Sequence, residues 1–367
     1  MMTISVETLR TWLEEDRPVT ILDVRPGCEY ADWSIPGSLH IDAYDALKAH
    51  DPEALSGVAL PTDQPIVTVC GAGKTSQIAA KQLALRGLQV LSLEGGMKAW
   101  SLSWNTADVP LPAGMPHVIQ VRRTGKGCLS YLIGREKEAF VIDASLGPQV
   151  YLDLATRHGW QITRVLDTHI HADHLSRSRQ LAEQSGAMLF LPDQQRVTFP
   201  FTTIHDGDTL VTSGMMLTAL HTPGHTGEST CYLLDNQVLF TGDTLFPTGV
   251  GRPDLDANGK QAHARAEALY HSLHTLLALP SETLVLSGHT SESVPFDGIP
   301  ITATLTEIDE QVGLLHATRD TFVRMTLLRI PPTPPNYERI VRLNEMGLLP
   351  EQDVTELEAG ANRCAIS

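Results

Sequence analysis

Apolar positions along the chain fall into two regimes. In the first hundred residues, short apolar runs alternate with helical spacing. Val19–Val24, Ile66–Cys70 and Leu88–Leu93 read as buried strands, and Ser76–Arg86 places Ile78, Ala79, Leu83 and Ala84 on one helical face. Strands alternating with helices predict a small doubly wound α/β unit. Asp108-Val-Pro-Leu-Pro-Ala-Gly-Met-Pro116 then interrupts the pattern, its prolines and glycine favouring an extended linker. Beyond it, strand patterns come in close succession: Leu129–Ile133, Ala139–Asp143, Val165–Thr168, Met188–Leu191 and Leu217–Leu220. Cys231–Leu234 and Val238–Phe240 flank Asp235-Asn236-Gln237, which reads as a hairpin turn. Helical spacing recurs at Val150–His158 and His263–Leu277, so two β-rich halves with helices between them predict a layered α/β sandwich. After Pro331-Pro-Thr-Pro-Pro335, Tyr337–Glu345 and Gln352–Leu357 read as short helices. The expected division is residues 1–105, a linker at 106–116, a second domain at 117–330 and a C-terminal arm at 331–367.

Composition narrows the function classes. With 367 residues and 42% hydrophobic side chains, two packed domains are affordable. A net charge of −16 argues against nucleic acid or an anionic membrane as partner, because either needs a basic face. The apolar stretch Ile78–Leu93 is broken by Lys81 and Arg86, so no membrane span is expected. The first residues show no basic segment followed by an apolar run, so no export signal is expected either. Five scattered cysteines make no disulfide framework, which fits a soluble, reducing, cytoplasmic setting. Oligomeric state stays open, a homo-oligomer being compatible. Histidine is unevenly spread: of 15, only His40 and His50 precede residue 117. That asymmetry predicts two chemistries, one of them metallic.

The first is in Val67-Thr-Val-Cys-Gly-Ala-Gly-Lys-Thr-Ser76, a strand, a glycine-rich loop and a helix start. A phosphate-binding P-loop is excluded, because its first glycine would fall at Thr68. Cys70 opens the loop, facing backbone N–H groups and the positive end of the next helix, with Lys74 nearby. Gly71 and Gly73 let the loop curl around an anionic group on the sulfur. The alternative is an inert buried cysteine ending a strand. This segment resembles the active-site loop of the rhodanese sulfurtransferases. Ile21-Leu-Asp-Val-Arg25 with Glu29, Ile35-Pro-Gly-Ser-Leu-His-Ile41 and Leu93-Glu-Gly-Gly-Met-Lys-Ala-Trp100 look like the family's other recurring stretches. The resemblance covers residues 3–104. It implies that Cys70 is the catalytic residue, carrying a persulfide cradled by amides of residues 71–76, with Gly71, Gly73, Lys74, Thr75 and Ser76 binding substrate. One departure is Gly71, where the family often has arginine, so Lys74 would be the main cation on the donor.

The second is in Thr168-His-Ile-His-Ala-Asp-His174, four ligand-capable side chains within six residues. His225, Asp243 and His289 follow, each beside a glycine. Histidines without a metal are the alternative, and His205, His221, His263, His271 and His274 fall outside the pattern. The set His169, His171, Asp173, His174, His225, Asp243 and His289 resembles the metallo-β-lactamase superfamily over residues 117 to about 300. The expected fold is therefore α/β, a rhodanese-like doubly wound domain followed by a metallo-β-lactamase αβ/βα sandwich with a C-terminal arm packed on it. Within that superfamily, glyoxalase II thioesterases hold two metals with all seven residues. Persulfide dioxygenases hold one Fe(II) through two histidines and an aspartate, here His169, His225 and Asp243. The segment Leu245-Phe-Pro-Thr-Gly-Val-Gly-Arg-Pro-Asp-Leu255 and the tail Leu357–Ile366 resemble the dioxygenases. The aspartate-tyrosine pair that follows the last histidine in simpler dioxygenases is missing here.

By that resemblance, Arg252 would bind a carboxylate of a thiol such as glutathione and Asp254 would brace its loop, the alternative being a structural ion pair. His171, Asp173, His174 and His289 would surround the iron ligands, or in a hydrolase hold a second metal. The implied activity is oxidation of a low-molecular-weight persulfide with O2 to sulfite, coupled to sulfane-sulfur transfer through Cys70. Small thiols and persulfides (glutathione or coenzyme A), thiosulfate or sulfite, and O2 would be its partners, and one Fe(II) per chain its cofactor. Two alternatives stand beside it: a hydrolase of thioesters with two zinc ions per chain, and a sulfurtransferase whose second domain is a binding or regulatory module.

Overall fold

The computed structural model describes residues 2–255, 257–352 and 354–366. The strands Thr20–Asp23, Ile66–Val69 and Val90–Leu93 form where the apolar runs stand, and each is buried almost throughout. With Thr3–Ile4 and Leu39–His40 they make a five-stranded sheet in which every pairing is parallel. A parallel sheet must be covered on both faces. One apolar cluster here gathers Leu22, Ile66, Ala79 and Leu83, and another gathers Leu9, Val67, Met97 and Trp100. The helix Thr75–Leu85 begins at the tip of the strand Ile66–Val69, so the cysteine loop lies at the carboxyl edge of the sheet.

The second half is a sandwich of two mixed sheets. Seven strands run in the order Thr202–Ile204, Met188–Pro192, Gln161–Leu166, Glu138–Ile142, Leu129–Arg135, His117–Arg122 and Asn105–Asp108. Six run in the order Thr209–Thr212, Met215–His221, Thr230–Leu234, Val238–Gly242, Leu284–Ser287 and Ala303–Thr304. Tyr131, Ile133, Phe140 and Ile142 of the first sheet meet Leu217, Tyr232, Phe240 and Leu286 of the second. The helix Gly259–Leu277 covers the outer face of the six-stranded sheet through Ala266, Leu269 and Leu273, and Pro148–Arg157 covers the other through Tyr151 and Leu154. No helix among the described residues is long and apolar enough to cross a membrane.

At the boundary between the two domains, two strands depart from the sequence reading. Asn105–Asp108 pairs antiparallel with His117–Arg122, so the segment expected as a linker begins inside a sheet. Its prolines stand only at 110, 112 and 116, leaving the preceding residues their ladder donors. His117–Arg122 escaped notice because it buries Gln120 and Arg122 among its apolar residues. Gln120 donates to the carbonyl of Ile301 (2.9 Å) and Arg122 to Oδ1 of Asn105 (2.8 Å).

The C-terminal segment packs across the sandwich and reaches the first domain. Tyr337–Met346 and Val354–Glu358 are helices, and Ala365–Ile366 pairs with Gly249–Gly251. Asp353, within the helix expected at 352–357, lies outside the described residues. Lys98 pairs with Glu356, and Arg363 with Asp32 (2.9 Å). The buried carboxylate of Glu358 meets Arg123 (2.9 Å) and Arg177 (2.5 Å) and accepts the N–H of Leu175 (2.8 Å).

Candidate functional site

Cys70 follows the strand Ile66–Val69 and is buried, its thiol donating to Oγ of Ser76 (3.3 Å). Its carbonyl accepts the N–H of Met97 (2.9 Å), and that of Gly71 accepts the N–H of Lys98 (3.0 Å). The loop is thereby fastened to the segment Gly95–Lys98. Gly96 has a left-handed φ of +57°, and a Cβ there would lie 2.1 Å from the carbonyl oxygen of Cys70, so only glycine fits. Thr75 and Ser76 are buried in the first turn of the next helix, whereas Lys74 is exposed. The cations that line the cleft beside Gly71 are Arg25 and Lys98, with Arg363 contributed by the C-terminal segment. These side chains are remote from Cys70 in sequence, and each is paired with a carboxylate: Arg25 with Asp23, Lys98 with Glu356 and Arg363 with Asp32.

The histidine–aspartate residues follow the carboxyl ends of sandwich strands. The segment after Gln161–Leu166 brings in His169, His171, Asp173 and His174; His225 follows Met215–His221, Asp243 follows Val238–Gly242, and His289 follows Leu284–Ser287. His169, His225 and Asp243 form one cluster of ligand atoms lying within 4.8 Å of one another, all buried. Nε2 of His169 is 3.8 Å and Nε2 of His225 3.6 Å from Oδ2 of Asp243. Each of these residues is turned by a partner behind it. Asp143 accepts both the N–H (2.7 Å) and the hydroxyl (2.8 Å) of Thr168, whose Oγ1 stands 2.9 Å from Nδ1 of His169. Nδ1 of His225 donates to the carbonyl of Arg252 (2.8 Å), and Oδ1 of Asp243 accepts from Nδ1 of His289 (2.5 Å). Gly242, at φ +49°, admits this approach, since a Cβ there would stand 2.4 Å from Oγ1 of Thr168.

Nε2 of His169 and Oδ2 of Asp243 are buried without a hydrogen-bond partner. An unpaired buried polar atom costs about 1–3 kcal/mol, so two such atoms facing each other fit a cation between them. Two imidazoles and a carboxylate are the donor set of a mononuclear iron centre, and they also suit zinc.

The other four residues named from the sequence lie in two further clusters. His171 joins Asp143 and Asp167, its Nε2 3.2 Å from Oδ1 of Asp143. Asp173, His174 and His289 gather around Cys128. A fourth grouping sets Cys364 beside Asp243 and His289. Sequence reasoning missed Cys128 and Cys364, both lone cysteines, and Asp143 and Asp167, both single acidic residues ending strands. It also missed Asn344, whose amide donates to the carbonyls of His171 (2.8 Å) and His174 (2.9 Å) and accepts the N–H of Ser176 (2.9 Å). A narrow cleft lined by His169, Ile170, His171, Val197, Phe199 and Asn344 leads to the imidazoles.

Burial and the neighbouring His171 hold the His169 imidazole well below its usual range, and burial lowers His225. Both are thus neutral at pH 7, the form that ligates metal. Burial pushes the Asp243 carboxyl up, but His289, His169 and His225 outweigh it and keep the group ionised. Burial likewise opposes protonation of His174, yet Asp173 raises it to about 9. For Cys128, burial and Asp173 push the thiol up; His174, Arg123 and His289 overcome them and bring it down to about 6. Cys364 is driven well up, chiefly by burial.

Arg252 differs from its expected role. Its guanidinium is buried, held by both oxygens of Asp254 (2.8 Å each) and by the carbonyls of Pro332 (3.2 Å) and Arg363 (3.1 Å). The C-terminal segment closes over it, so its contact with the centre is its own carbonyl on His225, not a side chain offered to substrate.

Comparison with known proteins matches this architecture. Residues 5–103 match the rhodanese-like domain, and residues 123–200 and 189–289 match the metallo-beta-lactamase superfamily. A hydroxyacylglutathione hydrolase of Rhizobium etli is 37% identical over 141 residues, which is 38% of this chain and 52% of that protein. One of Brucella ovis is 32% identical over 155 residues, 41% of this chain and 54% of that protein. The chain thus spans about half the length of these curated relatives. A metallo-beta-lactamase structure from Staphylococcus aureus superposes with a TM-score of 0.59 at 28% identity, covering 65% of this chain and 75% of that one. The structure of ETHE1 from Myxococcus xanthus superposes with a TM-score of 0.54 at 30% identity, covering 62% of this chain and 96% of that one. With the matched models lying on the two folded units described above, the chain belongs to the metallo-beta-lactamase superfamily and carries a rhodanese-like domain at its N-terminus.

Proposed function

We propose that this protein oxidises a low-molecular-weight persulfide, such as glutathione persulfide, with O2 to sulfite at a single Fe(II) held by His169, His225 and Asp243. Sulfane-sulfur transfer through Cys70 is coupled to it in a reducing, cytoplasmic setting. The observation that supports this reading is the buried cluster of two imidazoles and one carboxylate, His169, His225 and Asp243, with Nε2 of His171 turned to Asp143. The five free cysteines suit the reducing setting. In sum, RSSH, O2 and water give RSH, sulfite and two protons. Iron(II), held by His169, His225 and Asp243, would supply O2 activation.

The chain's own residues orient and enclose. Thr168 and Asp143 fix His169, the Arg252 carbonyl fixes His225, and His289 fixes Asp243. Ile170, Val197 and Phe199 line the approach with apolar surface that keeps stray water from the reacting sulfur. In the first domain, Ser76 accepts from the Cys70 thiol, and Gly73, at φ +76°, lets the loop lie against the backbone of Gly95. Thiosulfate, sulfite or a thiol persulfide is the expected donor or acceptor there.

A second reading has its own support, the resemblance to hydroxyacylglutathione hydrolases. It makes the sandwich a thioester hydrolase with zinc at the His169 cluster as well as at a second position. Metal content together with oxygen uptake separates them. One iron per chain and O2 consumption with glutathione persulfide support the dioxygenase, whereas zinc in place of iron, thioester cleavage and no O2 uptake overturn it.

A further inference from the structure

The loop 124–127, between the strands His117–Arg122 and Leu129–Arg135, is wedged between the two domains. A Cβ on Gly125 would stand 2.1 Å from the carbonyl oxygen of Trp100 in the first domain. One on Gly127, at φ +87°, would stand 2.2 Å from the carbonyl oxygen of Thr290. The loop forms one wall of a cleft of about 220 Å³, and Asp32, Trp33 and Ser34 of the first domain with Thr290, Ser291 and Asn362 form the rest. Lys126 lines this cleft and is only 8% exposed. Among the described residues its ammonium group has no hydrogen-bond or ion-pair partner. The carboxylates of the cleft do not supply one, since Asp32 pairs with Arg363 (2.9 Å) and Glu292 is exposed. Thr124 lines the same cleft, and its Oγ1 is likewise buried without a partner. A buried cation with no counter-charge is costly, so this wall calls for an anion that the cleft admits.

We propose that the cleft binds a small sulfur oxyanion, sulfite or thiosulfate, with Lys126 as its cation and the Thr124 hydroxyl as a donor. Among the described residues Lys126 is the one cation that lines it, which suits a compact ion better than a peptide-sized thiol. The cleft also touches both chemistries. Asp32, Trp33 and Ala361 line it and line the cleft beside Gly71, the residue next to Cys70. Asn362 lines it as well, and its amide donates to Oδ2 of Asp173 (2.9 Å) in the histidine segment. An oxyanion held there lies between the two sites, where the product of one can wait for the other. The choice of sulfite rests on the reaction proposed above, whereas the anion site itself does not.

The test titrates sulfite into the full metal-loaded chain by calorimetry at constant ionic strength. Thiosulfate is titrated into Cys70→Ser, which cannot accept its sulfur. Saturable binding of at least one of the two is expected. It should weaken at least about 30-fold when Lys126→Met is introduced and stay unchanged when Asp243→Ala is introduced. Absence of binding, or binding that survives Lys126→Met, overturns the site. So does binding lost in Asp243→Ala, which would place the anion on the metal. Should Lys126→Met not fold, crystals of the wild-type chain soaked in selenate decide. An anomalous peak within hydrogen-bond reach of Nζ of Lys126 supports the site, and no peak there overturns it. Failure of the dioxygenase reading leaves these outcomes unmoved, because none of them measures oxygen uptake.

Discussion

Nδ1 of His225 donates to the backbone carbonyl of Arg252, 2.8 Å away, while the guanidinium of the same arginine points away into Asp254 and the C-terminal segment. Arg252 therefore acts as a positioning residue. Arg252→Ala should leave Asp254 without its cation and lower stability by about 3–5 kcal/mol. Iron content should fall with it. KM for persulfides with and without a carboxylate should shift together; a rise confined to carboxylate-bearing substrates would restore a direct binding role.

The two chemistries should separate by mutation. Cys70→Ser should abolish sulfur transfer from thiosulfate and leave O2 uptake on added glutathione persulfide intact. Asp243→Ala should remove bound iron and O2 uptake while sparing transfer. Loss of both activities in either variant would show that the sites are not independent.

Thr168→Val removes the hydroxyl that links Asp143 to His169 and keeps the side-chain volume. Partners behind a metal-ligating histidine are worth about 10–100-fold in metal affinity. Competition with a chelator should show a loss of that size, with thiosulfate transfer through Cys70 unchanged.

Acid should loosen the joint between the C-terminal segment and the sandwich. Burial pushes the Glu358 carboxyl up, but Arg123 and Arg177 outweigh it and bring the group from 4.5 down to about 2. A carboxyl lowered in the folded state stabilises fully above its unfolded value and loses that contribution as pH falls from 4.5 toward 2. The amount is on the order of 3 kcal/mol. Denaturation midpoints of the wild type should therefore drop steeply across that window. Glu358→Gln should be less stable at pH 7 and show a flatter acid limb.

The sequence made the chemistry more legible than its setting. Cys70 and the seven histidine and aspartate positions sit in short segments whose spacing alone implies loops at strand ends, and they are found at such ends. Their partition was not legible, because His171 is drawn to Asp143 and Asp167, carboxylates that no motif marks. Cys128 precedes His169 by some forty residues and meets His289 only through sheet pairing. Arg252 misled for a related reason: a motif names a residue type at a position but not which of its groups faces the site. The strand His117–Arg122 was hidden by its buried polar side chains, whose partners Asn105 and Ile301 are distant in sequence.

Leu175, one residue beyond His174, donates its N–H to Glu358, a partner 183 residues further along the chain. During synthesis the two sites consequently mature at different moments. The cysteine loop has its anchors at Gly95–Lys98, only some 25 residues further along the chain. The histidine segment emerges early but waits for most of the remaining polypeptide before its anchors at Asn344 and Glu358 exist. Metal should therefore be captured late, after translation has passed the C-terminal segment.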